Sequence, residues 1–166
     1  MSALEELSPG SPAPVESVAS PRPLASRLAR LGAAIIDAIL AMAIAFPIMY
    51  ATGYLQRAMQ QAASLGEMVG HGVGGMVIFL LLHGYFLATR GQTIGKMAAG
   101  VRIVDYHTGQ LLPFGKLVGL RVIPVWLVSA IPFAGGCLAL VDTLFIFGNE
   151  RRCVHDLIAG TKVVEA

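Results

Sequence analysis

Asp37 stands in the run RLGAAIIDAILAMAIAFP, residues 30–47, where nearly every other side chain is apolar or small. An acid at the centre of an apolar helix costs about 2.5–3.5 kcal/mol on insertion scales, so it marks an ion path, a proton relay or a buried ion pair. A second acid, Asp142, lies in the apolar stretch 117–147, and His83 lies in the apolar stretch 72–88. Two carboxylates and an imidazole make a credible site for a proton or for a small cation such as Na+. Arg30, seven residues before Asp37, and Arg121, early in the third apolar stretch, offer the competing role of structural ion pairs. His155 and Asp156 are adjacent in NERRCVHDLIAGTKVV and can form a hydrogen-bonded pair. With no nucleophile beside them they make no catalytic triad, and two ligands are too few for a metal. The expectation is therefore no enzyme, no metal and no cofactor.

These residues need elements that can hold them inside an apolar medium. Helical periodicity puts Arg27, Arg30, Ala34, Asp37, Ala41 and Ala45 on one face, with Ile35, Ile36, Ile39, Leu40 and Ile44 crowding the others. Small residues let a neighbouring helix approach closely, so Asp37 is expected on a packing seam rather than against lipid. At 1.5 Å per residue Asp37 lies about 10 Å inside a span that begins near Leu31. His83 and Asp142 are expected at a similar depth in their own helices.

Composition supports the membrane setting. The chain of 166 residues is 55% hydrophobic and 13% charged, and its mean hydropathy is +0.70. Soluble domains carry about 25% charged residues, so this chain lacks the polar surface of a soluble domain of its size. The net charge of +2 gives no bulk basic field, and nucleic acid is not an expected partner. The two cysteines, Cys137 and Cys153, fit neither a zinc motif nor a disulfide framework and are read as free thiols.

A spanning helix needs about 20 mostly apolar residues. Residues 31–52 form the first span and 72–88 the second, joined by a polar, exposed connection over 53–70 that includes a short surface helix. Residues 89–116 are polar and rich in glycine. Within them VRIV reads as part of a short strand pair, HTG as a turn, and IGKMAAG as one or two helical turns on the membrane surface. Residues 117–147 are too many for one helix and few for two, and Pro124, Pro132 and the glycine pair at 135–136 break them into two short helices, about 117–132 and 134–148. The expected fold is an all-α integral membrane protein of about four transmembrane helices. Its last two are short or form a re-entrant hairpin, and a small interfacial strand and turn region separates spans 2 and 3.

Lys and Arg placement sets the orientation. Arg22, Arg27 and Arg30 precede the first span, and only Arg57 lies in the first connection. Arg90, Lys96, Arg102, Lys116 and Arg121 fill the second region, and Arg151, Arg152 and Lys162 follow the last span. Basic residues gather on the cytoplasmic side, so both termini are expected there, and residues 117–147 must enter and return. Residues 1–23 lack the pattern of a signal peptide and, being rich in Ser, Pro and Glu, are expected to form a disordered tail before a single domain over 24–164. GQTIGK, residues 91–96, lacks the four-residue glycine spacing and the Ser/Thr after lysine of a phosphate loop, so nucleotide binding is not expected.

Three stretches together resemble the RDD family of small membrane proteins, named for an arginine and two aspartates. They are RLGAAIID, GQTIGKMAAGVRIVDYHTGQLLPF and RRCVHDLIAGTKVV, and the resemblance covers about residues 24–164. It implies that Arg30 and Asp37 are the first arginine and aspartate and that Asp156 is the second aspartate, at the cytoplasmic face. There Asp156 would cap the path toward Asp37 or lock the C-terminal tail against Arg30. It also implies a prokaryotic inner-membrane location and raises sodium–proton antiport as a function. Four short spans are few for a pathway, so a homodimer in the bilayer is expected for a transporter. The alternative is a non-transporting scaffold or assembly factor whose Arg and Asp residues only hold helices together.

Overall fold

The computed structural model describes residues 22–129 and 134–166, and the tail before residue 22 and the break at Pro132 lie outside them. Helix α1, Arg27–Ala51, begins where the Ser26 hydroxyl accepts from Ala29 N at 3.1 Å and ends before Gly53, whose φ of +68° turns the chain. Pro47 lies within it. Helix α2, Tyr54–Met59, crosses to α3, Leu65–Arg90. The second long helix starts earlier than residue 72 because Ser64 and Glu67 form a reciprocal capping box. The connection is correspondingly shorter, and the Arg57–Glu67 ion pair at 2.6 Å braces it.

Helices α1 and α3, with mean hydropathies of 2.2 and 1.7, are the two among the described residues long and apolar enough to cross a membrane. Little of their length is buried, as suits a lipid-facing or partner-facing surface.

After α3 the chain folds back on itself. Gly91, at φ +64°, ends the helix, and helix α4, Ile94–Ala98, follows with Thr93 as its cap. Strand β1, Val101–Asp105, then pairs antiparallel with β2, Thr161–Glu165, from Val101↔Glu165 to Asp105↔Thr161. The expected strand thus exists, but its partner comes from the chain end rather than from residues 89–116. Its local alternative is lost because Asp105 accepts from His107 N and Thr108 N in a tight turn, and Pro113 then opens the next helix. Leu24 bridges to Val164 on the other side of β2, and Ala25 N donates to Val163 O at 3.0 Å.

Helices α5, Phe114–Leu117, and α6, Ile123–Ser129, are joined by a wider π turn over Val118–Val122. Pro124 has no N–H to offer the Leu120 carbonyl, and the Ile123 amide reaches back to Val118 O instead. Helix α7, Ala134–Leu144, packs on α6 and tightens into a 3-10 turn at Phe145–Phe147. Helix α8, Val154–Ala159, leads into β2. Ala25, Leu87, Val101, Ile103, Leu112, Leu117, Val122 and Val163 form one buried cluster. The well-packed core therefore lies at one end of the long helices, around the sheet.

Candidate functional site

The polar side chains fall into three groups. In the first, Asp37 of α1 meets α4 directly. Gly95 makes this approach possible, since a Cβ there would lie 2.1 Å from Ala33 O and 2.9 Å from the Asp37 carboxyl. Thr93 Oγ1 donates to Asp37 Oδ2 at 2.5 Å and accepts from Lys96 N at 3.3 Å, while Gly95 N donates to Asp37 Oδ1 at 2.7 Å. His83, 1% exposed on the inner face of α3, completes the group. Its Nδ1 accepts from Ile94 N at 3.3 Å, which leaves Nε2 as the protonated nitrogen of the neutral ring. Nε2 is buried, has no hydrogen-bond partner among the described residues, and stands 3.9 Å from Asp37 Oδ1.

Asp37 is thus held by a hydroxyl and an amide, with an imidazole 3.9 Å away, rather than by an arginine. Lys96 follows Gly95. Burial, helped by repulsion from Arg121, pushes its ammonium down to about 8, and Asp37 and Asp156 only partly offset this.

In the second group Asp156, 0% exposed, is gripped by two arginines. Arg30 Nη2 donates to Oδ2 at 2.5 Å and Arg121 Nη1 donates to Oδ1. Cys153 N donates to Oδ2 at 3.1 Å, closing the first turn of α8, and Thr161 Oγ1 lies 3.1 Å from Oδ1. Arg121 also reaches Thr161 Oγ1 at 2.7 Å, and Arg30 reaches the Arg151 carbonyl and Cys153 Sγ. Burial alone would raise the Asp156 carboxyl, but Arg121, His155 and Arg30 outweigh it and hold it well below the usual carboxylate range. Of the two alternatives for Asp156, this geometry has the form of the lock on the C-terminal segment.

In the third group Asp142, expected beside Asp37 and His83, is bonded instead to His155, accepting from its backbone N at 2.8 Å and lying 2.7 Å from Nδ1. The π turn and the short α7 carry Asp142 toward α8 rather than toward α1. His155 therefore pairs with Asp142, while its Nε2 lies 3.7 Å from Asp156. Ligand atoms of Asp142, Cys153 and His155 lie within 4.8 Å of one another, the one such set of metal-ligand type among the described residues. Burial pushes the Cys153 thiol up to about 11 and Arg30 already donates to its sulfur, so this set is engaged in the protein's own hydrogen bonds.

Sequence reasoning missed Thr93, Gly95 and Thr161. A signal for the first two lay in GQTIGK, whose Thr caps a helix and whose second Gly permits contact. Thr161 left none, because its role depends on the pairing of β2.

A family model described as the RDD family matches residues 24–160. The chain is 37% identical over 107 residues to an uncharacterized protein of Haemophilus influenzae, covering 62% of this chain and 65% of that protein. It is 40% identical over 77 residues to the uncharacterized protein YckC of Bacillus subtilis, covering 46% of this chain and 49% of the relative. The chain thus spans less than two thirds of the length of either. No solved structure matches it. Arg30, Asp37 and Asp156 fall within the matched residues, and the chain belongs to the RDD family.

Proposed function

We propose that the protein is a multi-pass carrier of the bacterial inner membrane that exchanges a proton against a small cation such as Na+ at Asp37, and that it is not an enzyme. The observation that supports this most is the unpartnered, buried His83 Nε2 at 3.9 Å from a carboxylate that no arginine neutralises. A movement of about 1 Å closes that gap to an ordinary hydrogen bond. In the closed form His83 donates to the carboxylate. In the open form Asp37 is free to take up a proton or a cation. Thr93 and Gly95 would hold the carboxylate in place during both.

Both termini are read as cytoplasmic from the basic residues around them, with α6 and α7 as a hairpin that enters and returns. The largely exposed apolar surfaces of α1 and α3 suit a homodimer in the bilayer. The second reading, a scaffold held by structural ion pairs, draws on the Asp156 group, in which both arginines are spent on one acid.

Proton flux in proteoliposomes under a Na+ gradient separates the two. Asp37→Asn is expected to abolish flux while the protein elutes and melts as the wild type does. Flux that persists in Asp37→Asn, or wild-type vesicles that move no ion, would sink the carrier.

A further inference from the structure

Three arginines stand near the end of α3 without a counter-charge. Arg22 lies just before the Leu24 bridge, Arg90 is the last residue of α3, and Arg102 is the second residue of β1. Backbone contacts draw these three elements together. Ile103 N donates to Gly91 O at 2.8 Å, and Gln92 Nε2 to Val101 O at 2.9 Å, so the end of α3 lies along β1. A Cβ on Gly91 would come within 2.5 Å of Ile103 O, which shows how close this approach is. On the other side, Arg102 pairs in register with Val164, Val164 bridges to Leu24, and Glu165 N donates to Pro23 O at 3.1 Å. Glu165 itself pairs with Val101 and so points to the opposite face from Arg102.

Four other arginines of this layer are occupied. Arg27 donates to the Ile146 and Phe147 carbonyls, Arg30 and Arg121 to Asp156, and Arg152 to Glu150 and Thr161 O. Among the described residues, no hydrogen bond or ion pair is made by the guanidinium of Arg22, Arg90 or Arg102, and the Arg102 Nε is buried with no partner. Burial and repulsion from Arg22 and Arg90 also lower the Arg102 pKa. A buried donor flanked by like charges calls for an anion.

We propose that Arg22, Arg90 and Arg102 bind the phosphate of an anionic phospholipid headgroup. Arg90 closes a helix long and apolar enough to span the bilayer, which sets the cluster at headgroup level. Guanidinium groups match phosphate oxygens in paired hydrogen bonds. The proposal rests on the membrane setting and is independent of ion exchange at Asp37, so loss of flux in Asp37→Asn leaves it standing.

Native mass spectrometry of the full chain in detergent tests it, with phosphatidylglycerol, phosphatidylcholine and inorganic phosphate added separately. Phosphatidylglycerol is expected to be retained over phosphatidylcholine. The preference should fall about fivefold for each arginine neutralised in Arg22→Gln and Arg90→Gln, both at exposed positions, and further when Arg102→Gln is added. Arg27→Gln, whose partners are carbonyls, should keep it. Equal retention of the two lipids, or an unchanged preference in the Arg22→Gln/Arg90→Gln variant, overturns the proposal. Inorganic phosphate that displaces the lipid at equal concentration overturns it in favour of a soluble anion. A preference that emerges only when Glu5, Glu6 and Glu16 are all changed to Gln overturns it in favour of the chain's own N-terminal acids.

Discussion

Asp37 and Asp156 are both polar groups in an apolar chain, yet they are satisfied by opposite means. Asp156 faces two guanidinium groups and is shut off from solvent, so its charge is fully matched and its geometry fixed from α1, the π turn and β2 at once. Asp37 faces dipoles, one titratable ring and the field of the nearby Lys96 ammonium, with no arginine upon it. The same acid type is thus clamped where arginines converge and held only by a hydroxyl and an amide where they are absent. Arg30 makes the contrast sharper. It lies two turns from Asp37 on the same helix, but its guanidinium is spent on Asp156, Arg151 and Cys153.

The comparison breaks most visibly at the lock. Asp156→Asn leaves two arginines, each under 10% exposed, without their counter-charge. Breaking a buried pair costs about 3–5 kcal/mol, so thermal unfolding in detergent should shift strongly downward or the protein should fail to fold. A variant that melts within a degree of the wild type would show that Asp156 locks nothing. Gly95→Ala comes next. Its Cβ overlaps Ala33 O, so α4 must move off α1 at a cost of about 1–3 kcal/mol. The Gly95 amide would leave Asp37, and its hydrogen exchange should quicken. An amide protected as well as in the wild type would remove Gly95 from the site.

The smallest effect is that of mild acid. Burial lowers the His155 pKa from its usual 6.5, despite the bond to Asp142, so the folded protein keeps the ring neutral where the unfolded chain takes a proton. Stability should therefore decline as pH falls below 6.5, and decline further as Asp156, whose folded pKa is depressed below 3.8, is finally protonated. Melting temperatures that rise between pH 7 and pH 5 would contradict this, because both groups act with the same sign.

Much of this was legible in the sequence, for identifiable reasons. Long apolar runs announce spanning-length helices, so α1 was found nearly to its ends, and α3 was missed only where Ser64 and Glu67 extend it through polar residues. VRIV alternates and reads as a strand, but nothing local says that its partner lies at Thr161–Glu165. Depth along an ideal helix placed Asp142 near Asp37. The π turn at Val118–Val122 and the short α7 deliver it to His155 instead, and periodicity cannot foresee such a turn. The resemblance, rather than any spacing, drew attention to Asp156, which follows the last apolar run.

The sheet has one more consequence. Residues just before α1, the strand after α3 and the strand at the chain end are hydrogen-bonded neighbours. On the proposed membrane setting, each stretch between them returns to the side it left and so would cross the bilayer an even number of times. An insertion that changed this parity would tear β1 from β2 and take the core around Ile103 with it.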